Sequence, residues 1–318
     1  MTCDKAMSLP LRAGEKKPKR IFELDFIRGI AVFLMILIHG CYTFGYGYEA
    51  MMSFEGEAPS WIEGMSTFFE FVFLSVTQPN GALSGGVNSS FALAGYNLHT
   101  NLYCLEIFFS GVFMLLSGIS CAFSKSNMSR SVKLCYLAIL VTIALDSISY
   151  TGIIEIHIWF GILNSMSIGL LIYSLFDLFF KEWWQDLLLA LPLIALNGFV
   201  TLNAHSHGYM ERINPQNAKD FGDCVYNLIG LMLGKFRYGD DYFSPLNVTI
   251  VILLGSAIGK NLYKERKSIL PDSFPTKWGK PIAFMGRHSL LIYVTHQVVI
   301  YAIMIVMILS LGAKIKGL

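Results

Sequence analysis

The sequence predicts an all-α protein, a polytopic transmembrane helical bundle with about 7–9 spans. Of its 318 residues, 54% are hydrophobic and only 14% are charged, whereas soluble domains carry about a quarter charged residues. The charges are also segregated, so that several apolar runs reach the about 20 residues that a helix needs to cross the hydrocarbon core. No hydrophilic stretch is long enough to fold separately. We therefore expect a basic tail over residues 1–20 and one membrane domain over residues 21–311.

Seven apolar segments are long enough to be predicted as full spans. They are Phe26–Tyr46, Leu102–Phe123, Val132–Tyr150, Ile156–Phe179, Asp186–Asn203, Leu246–Tyr263 and Ile282–Leu309. Two shorter segments, Met65–Thr77 and Phe221–Phe236, are predicted to be half-inserted, and re-entrant, interfacial or strained arrangements all remain open for them.

Basic residues predict the orientation, because Lys and Arg are enriched in cytoplasmic loops. The run from Lys16 to Arg20 assigns the N-terminus to the cytoplasm, and the cluster from Lys260 to Lys280 assigns the last basic loop to the same side. Residues 47–101 contain acidic residues but no Lys or Arg, so they are predicted to be an outer-loop insertion. We expect a multi-pass protein of a bacterial plasma membrane.

Two spans share an order of residues that is unusual in a membrane. Arg28 precedes His39 in the first span, and Arg287 precedes His296 in the last. Eleven residues of helix span about 16 Å and about three turns, so Arg28 and His39 lie on a similar face. Ionisable groups inside spans are costly and usually mark a site or a pathway. The pattern favours a vertical slot, with anion-binding arginines at the surface and proton-transferring histidines inside, and coenzyme A fits such a slot.

Less specific interpretations of the same residues stay open. Each arginine is also explained as a surface anchor whose charged head reaches water. Each histidine is also explained as a hydrogen-bond partner between helices.

Five runs in the expected order resemble the heparan-α-glucosaminide N-acetyltransferase catalytic-domain family, which is related to enzymes that acetylate polysaccharides. The runs are Leu24–Ala31 with His39, Phe113–Ser120, Trp159–Leu163, Asp241–Phe243, and Gly286–Tyr293 with His296 and Gln297. Together they extend from about Arg20 to Met304. Three positions depart from the family pattern. His39 stands where the animal lysosomal enzyme has Asn, Asn164 stands where His is usual, and Ser244 separates the fourth run from Pro245.

The resemblance implies an acyltransferase that moves an acetyl group from cytoplasmic acetyl-CoA to a sugar or glycan acceptor on the outer face, without a metal. It implies catalytic roles for His39 and His296. Arg28, Arg287 and His288 are expected to bind the cofactor. Asp241 and Tyr242 are expected to bind the acceptor, although Asp241 is also explained as a solvated loop carboxylate.

Other functions remain compatible with the residues alone. A transporter or flippase of an anionic or lipid-linked solute would use the arginines for the anion and the histidines as a proton relay. A structural or sensory subunit is a third class. The net charge of +2 gives no reason to expect nucleic acid. The acceptor, the choice between N- and O-acetylation, and the oligomeric state, for which an oligomer is possible, lie beyond the sequence.

Overall fold

A computed structural model describes residues 21–47, 52–53, 60–77, 98–150, 158–204, 211–214, 217–239, 242–264, 268–269, 279–310 and 314–315. Its helices are α1 (Phe22–Tyr42), α2 (Ser60–Thr77), α3 (Leu98–Cys121), α4 (Asn127–Tyr150), α5 (Ile162–Phe176), α6 (Trp183–Ala204), α7 (Phe221–Leu233), α8 (Pro245–Leu262), α9 (Gly279–Arg287) and α10 (Ser289–Ser310). A π-helical turn over Thr43–Gly47 follows α1. The strands β1 (Met52–Ser53) and β4 (Lys314–Ile315) pair antiparallel, and β2 (Glu211–Arg212) pairs in parallel with β3 (Phe236–Arg237). The predicted basic tail lies outside the described residues.

The helical membrane bundle is confirmed. Among the described residues, α1, α4, α6, α8 and α10 are long and apolar enough to cross a membrane, and α5, α7 and the described part of α3 are shorter apolar helices. The apolar windows of α4 and α6 are only 11% buried inside the protein, whereas that of α8 is 61% buried. Since apolar surface in a spanning helix faces lipid or protein, α8 is the central helix and α4 and α6 form the lipid-facing periphery.

Two predicted spans are divided or shortened, the segment predicted as Met65–Thr77 is the longer helix α2, and the segment predicted as Phe221–Phe236 contains a short helix as expected. The segment predicted as Ile282–Leu309 is two helices, because the regular α-helix is interrupted at His288. The segment predicted as Ile156–Phe179 contains the shorter helix α5, which begins after Gly161 in an extended conformation. Helix α7 has 13 residues and ends at Gly234 with a φ of 79°, so its length of about 20 Å is short for the hydrocarbon core.

Small residues let α8 approach α3 closely. A Cβ atom on Gly255 would lie 2.3 Å from the Leu115 carbonyl oxygen, and one on Gly118 would lie 2.4 Å from the Ile252 carbonyl oxygen. Close backbone approach through glycine is how helices gain packing energy in a membrane, where the solvent offers no hydrophobic drive. The pair α3–α8 is therefore a fixed wall against which the other helices pack.

One end of the bundle collects the described ends of seven helices, and we call it the basic end: the starts of α1, α4, α6 and α10 and the ends of α3, α5 and α8. An ion-pair cluster joins three of them, since Lys260 Nζ lies 3.0 Å from Asp186 Oδ2 and 3.5 Å from Asp177 Oδ1. Asn127 Nδ2 donates to Asp177 Oδ2 at 3.1 Å, which attaches the start of α4 to the same cluster. The loop between α3 and α4 is thereby held in place.

Candidate functional site

The two predicted arginines meet at one carboxylate at the basic end. Arg28 Nη1 lies 3.5 Å from Asp25 Oδ1, and Arg287 Nε lies 3.6 Å from Asp25 Oδ2. The Arg28 side chain is 18% exposed and that of Arg287 is 42% exposed. Arg28 also donates through Nη2 to Ser120 Oγ at 2.7 Å. One carboxylate against two guanidinium groups leaves an excess of positive charge at this point.

The contact between α1 and α9 brings these side chains together. A Cβ atom on Gly286 would lie 1.7 Å from the Asp25 carbonyl oxygen, and one on Gly29 would lie 1.9 Å from the Ile282 carbonyl oxygen. The two backbones therefore touch, and only glycine fits at either position. This close approach sets Asp25 between the two arginines.

A cavity of about 1290 Å³ opens beside Arg28. Small-molecule pockets usually enclose about 300–1,000 Å³, so this space suits a large ligand. Cations and hydroxyl groups form one part of its lining, which we call the mouth, and mainly apolar side chains form the other part, which we call the inner wall. The mouth comprises Arg28, Ser117, Ser120, Ser124, Lys125, Ser126, Ser129, Arg130, Lys133 and Ser289, and the inner wall comprises Phe113, Leu134, Leu137, Ile162, Leu163, Met166, Leu290 and Tyr293.

Arg130 is held in place at this mouth by α3. Its Nη2 donates to Ser117 Oγ at 3.0 Å and to the Ser117 carbonyl oxygen at 3.4 Å. Ser126 is at the start of α4, where its Oγ accepts from the Ser129 backbone N–H at 3.2 Å. The first turn of α4 contains no acidic residue, although an acid would be favoured there by the helix dipole. Cations that line one cavity beside a helix start without acidic residues form a site suited to anions.

The two predicted histidines do not line the cavity themselves, but one of them contacts a residue that does. Tyr293 lines the cavity, and its ring centroid lies 5.6 Å from that of His296. The ring centroids of His296 and His39 lie 4.9 Å apart in an edge-to-face arrangement. The structure thus brings the two histidines into direct contact across α1 and α10.

Both histidine rings are fixed in the same tautomer. His39 Nδ1 lies 2.9 Å from the Met35 carbonyl oxygen, and His296 Nδ1 lies 2.5 Å from the Tyr293 carbonyl oxygen. Because a carbonyl oxygen only accepts, each neutral ring carries its proton on Nδ1 and its lone pair on Nε2. A ring in this state can accept a proton through Nε2.

Four predicted site residues are absent from the cavity lining in the described part of the chain: His39, His296, Arg287 and His288. His288 is exposed and packs on Phe284 at 4.5 Å between ring centroids. Asp241 lies outside the described residues.

Tyr242 takes part in a separate network at the opposite end of the bundle. Its phenol donates to the Leu231 carbonyl oxygen at 2.5 Å. Burial raises the pKa of the Tyr242 phenol, so the group stays neutral at physiological pH. Phe243 N–H donates to the Phe160 carbonyl oxygen at 2.8 Å, and Ser165 Oγ donates to the Phe243 carbonyl oxygen at 2.5 Å. The third and fourth runs identified in the sequence are therefore bonded to each other.

Lys125, Arg130, Lys133 and Tyr293 join the site only in the structure. From the sequence alone, the three cations are explained as markers of a cytoplasmic loop between two spans. The run Ser124-Lys125-Ser126-Asn127-Met128-Ser129-Arg130 alternates hydroxyl groups with cations, and this composition was the available signal for an anion site. Among the described residues, no group of three His, Cys, Asp or Glu is close enough to hold a metal ion.

Comparison with known proteins gives one match. A family model described as heparan-alpha-glucosaminide N-acetyltransferase, catalytic, matches residues 20–81 and 88–298. No curated protein and no solved structure matches the chain significantly. The matched ranges contain Arg28, His39, the mouth of the cavity and His296.

Proposed function

Because the chain belongs to the heparan-alpha-glucosaminide N-acetyltransferase catalytic family, we propose that it transfers an acetyl group from acetyl-CoA to a sugar acceptor within the membrane. Family membership makes the chain a membrane acetyltransferase in general terms. The donor, the acceptor and the roles of individual residues are our proposal. The observation that carries it is the cavity, whose lining includes several cations and also Tyr293, the ring neighbour of the contacting histidine pair.

The mouth of the cavity suits the phosphates of coenzyme A. Arg28, Lys125, Arg130 and Lys133 supply four cations there, and the neighbouring serines supply hydroxyl donors. Arginine and lysine contacts to phosphate are charge-assisted and among the strongest hydrogen bonds in proteins. Arg287 would act through Asp25, since both arginines share that carboxylate.

The inner wall suits the thin arm of coenzyme A. Phe113, Ile162 and Met166 line it with apolar surface, which excludes water from the thioester. Arg28 and His39 are eleven residues apart on α1, or about 16 Å along the helix. A donor whose phosphates bind at Arg28 would therefore carry its acetyl group toward the histidine pair.

The histidine pair suits proton transfer from the acceptor. In the proposed step, an acceptor nitrogen or oxygen attacks the thioester carbonyl carbon, and its new bond to carbon forms as the carbon–sulfur bond breaks. The proton of the acceptor passes to His39 Nε2 and then to the departing sulfur, which leaves as the free thiol of coenzyme A. His296 packs against His39 and would orient it. A general base of this kind contributes about 10²–10⁴-fold to rate.

An acetyl-transfer assay on the purified full-length chain in lipid nanodiscs tests the proposal. The chain is mixed with acetyl-CoA and a panel of methyl glycosides that carry either hydroxyl groups alone or one amino group. We expect release of the coenzyme A thiol together with an acetylated sugar detected by mass spectrometry. If acetyl-CoA neither binds to the chain nor loses its acetyl group, the proposal is contradicted. Transport of an anionic solute would then be favoured.

Variants of the cavity mouth test the position of the donor. We expect Arg28→Gln and Arg130→Gln each to raise the Kd for acetyl-CoA about 10- to 150-fold, because each removes a charge-assisted phosphate contact of about 1.5–3 kcal/mol. Arg287→Gln should raise the Kd less, since Arg287 would act on the site only through its ion pair with Asp25. Calorimetric titration measures all three.

The matched control is Lys280→Gln, which removes an exposed cation of α9 at the same end of the bundle. It should bind acetyl-CoA as the parent chain does. Equal weakening in Lys280→Gln and Arg28→Gln would mean that only the overall charge of this end matters, and the cavity would then not be the donor site.

A further inference from the structure

A second contact, next to the histidine pair, joins α10 to the π-helical turn that continues α1. Gln297 follows His296 on α10, and Thr43 lies four residues after His39 at the start of the π-helical turn. Gln297 Nε2 donates to Thr43 Oγ1 at 3.3 Å, and Thr43 is fully buried. Interruptions of regular helix by π turns frequently occur at functional sites. The two contacts form adjacent rungs between α10 and α1 with its π-helical continuation.

Two hydrogen-bond acceptors in these rungs are buried without a partner among the described residues. They are His296 Nε2 and Gln297 Oε1. His296 as a whole is 8% exposed. A buried polar atom that lacks a partner costs about 1–3 kcal/mol, so native structures rarely keep one without a reason. Both atoms belong to side chains that contact α1 or the turn that continues it.

The Gln297 amide contacts Thr43 through its nitrogen end, and its oxygen is the end without a partner among the described residues. His39 Nε2 also carries a lone pair, since its Nδ1 proton is donated to the Met35 carbonyl oxygen. These neighbouring side chains therefore offer acceptors, and a ligand that supplies several donors would satisfy them.

We propose that Gln297 is the positioning residue for the nucleophile of the acceptor, and that its Oε1 accepts a hydrogen bond from an attacking amine. The proposal rests on the acetyl transfer proposed above. A primary amine has two N–H groups, one for Gln297 Oε1 and one for a histidine Nε2, and keeps its lone pair for the thioester carbon. A hydroxyl group has one O–H, so it would leave one buried acceptor unsatisfied. Gln297 thereby distinguishes amine from hydroxyl acceptors.

The step balances as follows when the amine is the acceptor. The carbon–nitrogen bond forms and the carbon–sulfur bond breaks. The N–H directed at the histidine loses its proton to Nε2, and that proton passes to sulfur to give the thiol. The N–H directed at Gln297 stays on nitrogen and becomes the N–H of the product amide. Gln297 exchanges no proton and acts only on position.

Steady-state kinetics of Gln297 variants test the proposal on the full-length chain. The acceptors are methyl 2-amino-2-deoxyglucoside and methyl glucoside, which differ in one amino group. We expect Gln297→Leu to lower kcat/KM for the amine about 10- to 100-fold, with the KM for acetyl-CoA changed less than about twofold. Gln297→Glu keeps an oxygen at the same place and should retain more of the amine activity than Gln297→Leu does.

Thr43 variants separate positioning from a purely structural contact. Thr43→Ser keeps the hydroxyl group and should behave as the parent chain does, whereas Thr43→Val frees the Gln297 amide and should reduce the preference for the amine. If Gln297→Leu loses stability and affinity for acetyl-CoA along with activity, its role is structural and the proposal is overturned. Equal kcat/KM for the amine in Gln297→Leu and the parent chain overturns it too.

The parent chain itself distinguishes this proposal from the proposed function. Transfer to methyl glucoside but not to the amine would leave acetyl transfer intact and overturn the role of Gln297. Transfer to neither acceptor, together with no binding of acetyl-CoA, would count against the proposed function itself.

Discussion

Replacing His39 with alanine is expected to leave acetyl-CoA binding intact and to lower turnover about 10²–10⁴-fold, the usual contribution of a general base. The acceptor must lose a proton as it attacks, and His39 carries a lone pair on Nε2 because Nδ1 donates to the Met35 carbonyl oxygen. The basic mouth of the cavity lies about three helical turns away from His39. Phosphate contacts there should therefore not depend on the imidazole.

Binding and single-turnover transfer, measured on the same preparation, check this expectation. The matched control is His288→Ala, which removes an exposed histidine that packs on Phe284 and should leave turnover close to that of the parent. His296→Ala completes the series, since His296 packs against His39. If His39→Ala transfers normally and His296→Ala does not, the base is His296. Full activity in both would make the pair structural.

Replacing Gly286 with valine is expected to separate α1 from α9 and to destabilise the bundle. Even the first carbon of a side chain would lie 1.7 Å from the Asp25 carbonyl oxygen, and a backbone oxygen cannot rotate away as a side chain can. Overpacking usually costs about 1–3 kcal/mol, and rigid backbone contacts fall at the high end. The displacement also disturbs Asp25, so acetyl-CoA affinity should fall with stability.

Thermal unfolding of the detergent-solubilised chain, followed by size exclusion, measures the loss. Gly198→Val is the matched control, because a Cβ atom there meets nothing within 4 Å. It should unfold near the temperature of the parent chain. Equal unfolding temperatures for Gly286→Val and Gly198→Val would contradict the close contact between α1 and α9.

The helices were predictable because a membrane imposes a simple length rule on sequence. Asp186–Asn203 and Leu246–Tyr263 differ from α6 and α8 by only a few residues at each end. The break at His288 was not predicted, although Gly286, Arg287, His288 and Ser289 interrupt the apolar run there. The length of α5 was also missed, because residues before Gly161 are as apolar as those after it.

The candidate site was predictable where it follows the period of one helix. The spacing of Arg28 and His39 on α1 required only helical geometry, and the parallel order in the last span suggested that the histidines lie at one depth. The cavity was not predictable, because it lies between helices that are distant in sequence and depends on their tertiary packing. The pairing of both arginines with Asp25 depends on the glycine contact of α1 with α9.

Under the proposed function, helix α1 has a consequence for which acyl carriers the chain could use. It runs without interruption from Phe22 to Tyr42, so it fixes the distance between Arg28 and His39. This distance has to match the length of the arm that joins the anionic head of a carrier to its thioester. It does not depend on the length of the acyl group itself. A shorter arm would leave the thioester short of the histidines, and a longer arm would carry the thioester past them. One residue inserted between Arg28 and His39 would turn His39 by about 100° around the helix axis and would lengthen the distance between them by about 1.5 Å. Both the direction of the His39 side chain and its distance from the phosphates would then change.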